Sequence, residues 1–123
     1  MLQKRLYLAS VLLCLATGAA GAGEADVVAV EVEQSSPGVY AFQVTVAHAD
    51  EGWEHYADRW EVIAPDGRVL ATRVLAHPHV DEQPFTRGLT AVAIAPDIHE
   101  VEVRSHDSVH GWAGATMQVR LPD

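Results

Sequence analysis

The chain has 123 residues, with 17 acidic against eight basic side chains and seven histidines, for a formal net charge of −9. So acidic a chain is poorly suited to nucleic acid or anionic membrane surfaces and better suited to cations and basic partners. Its single cysteine, Cys14, excludes an internal disulfide.

The first segment has the three parts of a secretory signal peptide. Lys4 and Arg5 precede an apolar run from Leu6 to Ala16, and small residues follow, ending in Ala20, Gly21 and Ala22. The apolar run is about half the roughly 20 residues that a bilayer-spanning helix needs, so residues 1–22 read as a signal peptide rather than a membrane anchor. Cleavage is expected after Ala22, with Ala20 as the alternative. Leu13 stands before Cys14 where lipoprotein processing wants a small residue. Residues 23–123 then form one domain without lysine or cysteine, in which six arginines face all 17 acidic residues, a net charge of −11. An exported chain without a disulfide fits the bacterial periplasm, or a secreted location.

Period-two alternation dominates the rest. "DVVAVEVEQ" places Val28, Val30 and Val32 on one face, and "GVYAFQVTVAH" does the same with Tyr40, Phe42, Val44 and Val46. "RWEVIA" and "RVLATRVLAH" form a hairpin around the turn Pro65-Asp66-Gly67. "LTAVAIA", a tight turn at Pro96-Asp97, "IHEVEVRSH" and "ATMQVRLP" complete the set. Seven strands with short turns predict an all-β, seven-stranded antiparallel Greek-key sandwich of immunoglobulin or fibronectin type, with a small β-barrel as the alternative. Trp60 occupies the place on the third strand where immunoglobulin-like domains bury a tryptophan between their sheets.

In such an order the two tight turns share one end, and three longer connections share the other: Ala49–Asp58, Pro78–Gly88 and Asp107–Gly114. Six of the seven histidines lie in or beside these loops, and only His99 lies elsewhere. Loops held by a rigid sandwich are a usual seat of binding.

In "HPH", His77 and His79 are two apart in an extended segment and point the same way, with Pro78 restricting the backbone between them. Neutral imidazoles converging on one point bind zinc or copper(II). The expected ligands are His77 and His79, completed by His106 and His110. Asp81, Asp107, His48 and His55 are read as further ligands or as carboxylates and rings that orient them. His48 shares the inward parity of its strand, which equally suits a core histidine. Regular oxygen-ligand spacing for calcium is missing.

A second reading is a non-enzymatic module for a periplasmic protein partner, using Trp53, Tyr56, Phe85, Arg87 and Trp112 at the same end. Catalysis is not expected. Ser105 and Ser108 lie near His106, Asp107 and His110, but the spacing supplies neither a positioned base nor an oxyanion hole.

"HYADRWEVIAPDGRVLATRVLAHPHVDEQPFTR", followed by "HDSVHGWAG", resembles a group of small exported bacterial proteins whose activity is uncharacterised. The resemblance implies export and a β-rich fold, and brings no ligand or catalytic residue with it.

Overall fold

The computed structural model describes residues 10–12 and 23–123. Apart from Ser10–Leu12, the expected signal peptide lies outside the described residues.

The strands are β1 (Ser10–Leu12), β2 (Asp26–Ser36), β3 (Val39–Ala47), β4 (Ala57–Ile63), β5 (Val69–Val74), β6 (Phe85–Ala93), β7 (Glu100–Asp107) and β8 (Met117–Arg120). They form two antiparallel sheets, in the orders β1-β2-β3-β6 and β5-β4-β7-β8. The seven strands from Asp26 onward are those expected, β1 adds three residues along the edge of β2, and neither sheet closes into a barrel. The chain changes sheet at β3–β4, β5–β6 and β6–β7, which makes this a Greek-key sandwich.

Alternation explains what each sheet buries. Val30 and Val32 of β2 and Tyr40, Phe42, Val44 and Val46 of β3 face Trp60 and Val62 of β4, Val101 and Val103 of β7, and Met117 and Val119 of β8 in one core. Trp60 is completely buried, as its place on the central strand predicts. On the outer face of the second sheet, Glu61 sits between its cross-strand partners Thr72 and Arg104, accepting from Thr72 Oγ1 at 3.2 Å and Arg104 Nη2 at 2.9 Å.

Two parts of the strand pattern differ from the simple reading. A register shift between Val27 and Ala29 resets the parity of β2, so Val27 rather than Val28 is buried. β6 also begins earlier than the run "LTAVAIA" suggests. Phe85 pairs with Val46 and Arg87 with Val44, so the β5–β6 connection ends at Pro84.

The tight β4–β5 and β6–β7 turns lie at one end and the three longer connections at the other, as expected. Gly67, with φ +91°, closes the β4–β5 hairpin by donating its N–H to Ala64 O at 2.9 Å. At the other end the connections β3–β4, β5–β6 and β7–β8 meet. Ser108 N donates to Tyr56 O at 2.9 Å, and His79 N donates to Asp50 Oδ2 at 2.6 Å.

A fourth segment, which the loop reading did not include, joins them there: residues 23–25 ahead of β2. Ser105 Oγ donates to Ala25 O at 2.9 Å, Ala115 N to Asp26 Oδ1 at 2.7 Å, and Val27 N to Ala115 O at 2.9 Å. The approach requires a glycine at 114, where a Cβ would stand 1.7 Å from Ala25 O. Gly114→Ala is therefore expected to destabilise the domain by about 1–3 kcal/mol, as overpacking does elsewhere. Urea unfolding measures this, and an unchanged midpoint would mean that the segment is not held there.

Candidate metal centre

The inner faces of the two sheets each deliver one polar group to this end. Along β3 the buried positions Phe42, Val44 and Val46 lead in phase to His48, and along β7 Val101, Val103 and Ser105 lead to Asp107. Both end buried in the gap between the sheets. His55, from the β3–β4 loop, closes over them with its ring edge-on to His48 at 4.8 Å between centroids.

Three groups converge. His48 Nε2 and His55 Nε2 are 3.3 Å apart. Asp107 places Oδ1 3.3 Å from His55 Nε2 and Oδ2 3.8 Å from His48 Nε2. The carbonyl oxygen of Gly23 lies 2.9 Å and 3.0 Å from the same two nitrogens. His48, His55 and Asp107 thus form a group that could hold a metal ion. Ligand atoms bound tetrahedrally to zinc at 2.0–2.1 Å are about 3.3–3.4 Å apart, which matches the two shortest separations within this trio.

The outer nitrogens of both rings are tied to carboxylates. His48 Nδ1 bonds the buried Asp50 Oδ1, and His55 Nδ1 is 3.0 Å from Glu51 Oε1. Asp50 is fixed in turn by the amides of Ala57 at 3.1 Å and His79 at 2.6 Å. Each imidazole therefore faces acceptor oxygens at both nitrogens. A neutral ring carries one N–H, so one lone pair of each must meet oxygen lone pairs unless a proton or a metal cation lies between. Carboxylates behind ligating histidines are a common device for fixing ring orientation and raising basicity.

Electrostatics agree with a site that favours positive charge. Burial works to lower the pKa of His55, but its bonds to Glu51 and Gly23 and the nearby Asp107 outweigh this and raise it. Burial works to raise that of Asp107, yet the amides of His110 and Val109, at 2.6 Å and 2.7 Å, and the His110 ring hold it below the usual carboxylate range.

The four histidines expected as primary ligands are not brought together. Among the described residues, His77, His79, His106 and His110 belong to no trio whose ligand atoms all lie within 4.8 Å of one another. His77 is exposed, with Nδ1 3.0 Å from Pro78 O. Its ring is 4.7 Å from that of His79, so the "HPH" pair does stay together. His79, however, is buried and stacked on Phe85 at 4.0 Å, with neither ring nitrogen bonded. His106 points to the outer face of β7, where it meets Asp58 Oδ1 at 2.6 Å and the Trp112 ring. His110 comes nearest the centre: its Nδ1 is 3.2 Å from Asp107 Oδ2 and its ring 5.0 Å from that of His55. Asp81 is exposed.

All three converging groups are among the further ligands expected from the sequence, and strand parity accounts for two of them. It turns Asp107 inward and His106 outward, and carries His48 into the centre. The role of Gly23 leaves no trace in any histidine spacing.

The aromatic residues proposed for a partner also separate. Phe85 lies in the core beneath His79, because β6 begins there. Arg87 is bonded to Glu82 at 2.8 Å, and Trp112 is covered by Arg104 at 4.1 Å. Trp53 is 68% exposed, with Tyr56 edge-on to it at 5.6 Å.

Comparison with known proteins adds one relative. The chain is 38% identical over 96 residues to a protein of Halomicrobium mukohataei described as "Putative lipoprotein". The match covers 78% of this chain and 47% of that protein, so the chain spans about half the length of the relative. No family model and no solved structure matches.

His79 gives a test of the loop packing. Its burial, with the charges of Arg87 and His77, lowers its pKa from the ordinary 6.5, so the folded state holds it neutral and the unfolded chain takes the proton more readily. That contribution to stability is complete above about pH 6.5 and is lost as pH falls through the folded value. His79→Phe, which keeps the stack on Phe85 and removes two unbonded nitrogens, is expected to match or exceed wild-type stability at about pH 7.5. Its stability should fall less steeply between about pH 7 and pH 5, measured by urea unfolding across that range. An equally steep fall would assign the dependence to other groups.

Proposed function

We propose that this is an exported protein that binds one divalent transition metal ion, zinc or copper(II), through His48, His55 and Asp107. The observation that carries the reading is the convergence of two imidazole nitrogens 3.3 Å apart on one buried carboxylate. Nitrogen and oxygen donors suit zinc and copper(II), whereas copper(I) favours thiolate or thioether. Met117, the methionine within the sandwich, is buried in the core on β8. Export is supported by the signal-like leader and by the printed description of the relative. The proposed role is carriage or delivery of the ion, with no reaction assigned to it.

Trp53, exposed beside the same loops, favours a second reading in which a protein partner docks at this end. The two readings are compatible if the partner receives the metal.

Metal-free protein titrated separately with zinc and copper(II), in competition with a chromophoric chelator, should take up one equivalent. His55→Ala should abolish tight binding. Glu51→Gln, which removes only the carboxylate behind His55, should weaken it by about 10–100-fold. The double variant His77→Ala/His79→Ala should bind as wild type. Loss of binding in that double variant with retention in His55→Ala would move the site to the "HPH" segment.

A further inference from the structure

The carbonyl of Gly23 lies within the proposed centre, 2.9 Å and 3.0 Å from the two ligating nitrogens. The φ of +99° at Gly23 and the crowding by two rings favour a glycine here. A Cβ at this position would stand 2.9 Å from His110 Cε1 and 3.1 Å from His55 Cε1. The segment is positioned by Ser105, Ala115 and the close approach of Gly114 rather than by the histidines alone. Independently, the small-residue rule places signal cleavage after Ala22, which makes the same glycine the first residue of the processed chain.

We propose that the processed N-terminus is itself a metal ligand, so that the centre is completed only when the leader is removed. Hydrolysis of the Ala22–Gly23 peptide consumes one water, leaves the carboxylate on Ala22 and frees the α-amine of Gly23. Before cleavage that nitrogen is an amide whose lone pair is delocalised into the carbonyl, which makes it a much poorer donor than an amine. After cleavage it is an amine whose lone pair is localised on nitrogen, and a metal that binds it displaces a proton. Amine and carbonyl of one glycine close a five-membered chelate on the ion that His48, His55 and Asp107 hold. The centre would then discriminate between the unprocessed chain and the exported one, binding metal tightly only in the compartment where the protein is used.

The proposal rests on the metal-binding reading above, and its test separates the two. Residues 23–123 contain no lysine, because Lys4 leaves with the leader, so an amine-selective acetylating reagent modifies the processed chain at its α-amine alone. The protein purified from the exported fraction would be analysed by intact mass, acetylated or left free, and titrated with copper(II) beside the unprocessed full chain. Circular dichroism would check that all three share one fold.

The expected results are an N-terminus at Gly23 and an affinity at least about tenfold lower for the acetylated and unprocessed forms. The electron paramagnetic resonance spectrum of the free form should show one more coupled nitrogen than that of the acetylated form. Equal affinity and equal spectra would overturn the N-terminal ligand while leaving the histidine site standing. A processed chain beginning elsewhere, at Cys14 or Gly21, would also overturn it. Failure of every form to bind copper(II) would remove the underlying site.

Discussion

The buried carboxylate of Asp107 is the constraint around which this end of the molecule is organised. It is completely enclosed at the end of a central strand, where an ionised carboxylate is costly unless it is bonded and faces positive charge. Two backbone amides of its own loop bond Oδ1, which accounts for the depressed pKa and fixes the first turn of the β7–β8 connection. The remaining demand is met by three imidazoles from two loops. His48 and His55 also face acceptor oxygens at their outer nitrogens, so the same carboxylates that place the rings make the gap electronegative.

The sandwich contributes what the loops cannot supply alone. Inner-face positions of β3 and β7 lie on opposite sheets across the core, and continuing their alternation past the last apolar residue, by one step beyond Val46 and two beyond Val103, brings His48 toward Asp107. The β3–β4 loop is then held by Asp50, which bonds the amides of both Ala57 and His79 and the Nδ1 of His48. One buried side chain thus ties two of the loops together and orients a candidate ligand. The opening segment of the domain is pinned over the same gap. Four separate pieces of chain therefore meet at one small polar cluster on a rigid frame, which favours preorganised binding over a loop that must order itself on each encounter.

Much of the fold was legible in the sequence, because strands with one buried face state their own parity. The seven strands after residue 23, the hairpin at Pro65–Gly67, buried Trp60 and the gathering of three loops all follow from alternation and turn chemistry. The bulge near Val28 and the early start of β6 do not, since a bulge adds a residue without changing composition. For the site, the choice of end was legible, and His48, His55 and Asp107 were among the further ligands expected there, but the ranking that put His77, His79, His106 and His110 first is not the one the packing favours. The "HPH" spacing suggests a ligand pair, yet His79 is buried and stacked on Phe85. His106 drew attention through its neighbours, while parity sends it to the outer face beside Asp58 and Trp112. His48 and His55 come from the β3–β4 loop and Asp107 from the end of β7, and the placement of His55 depends on its bonds to Gly23 and Glu51, which strand parity does not encode.

The most direct measurement is anomalous diffraction at the zinc edge from crystals of the processed protein grown with equimolar zinc. A single strong peak is expected within about 2.0–2.2 Å of His48 Nε2, His55 Nε2 and an Asp107 oxygen, with Gly23 against it. A peak at His77 and His79, a peak beside His106 and Asp58, or no ordered peak at this end of the sandwich would contradict that placement.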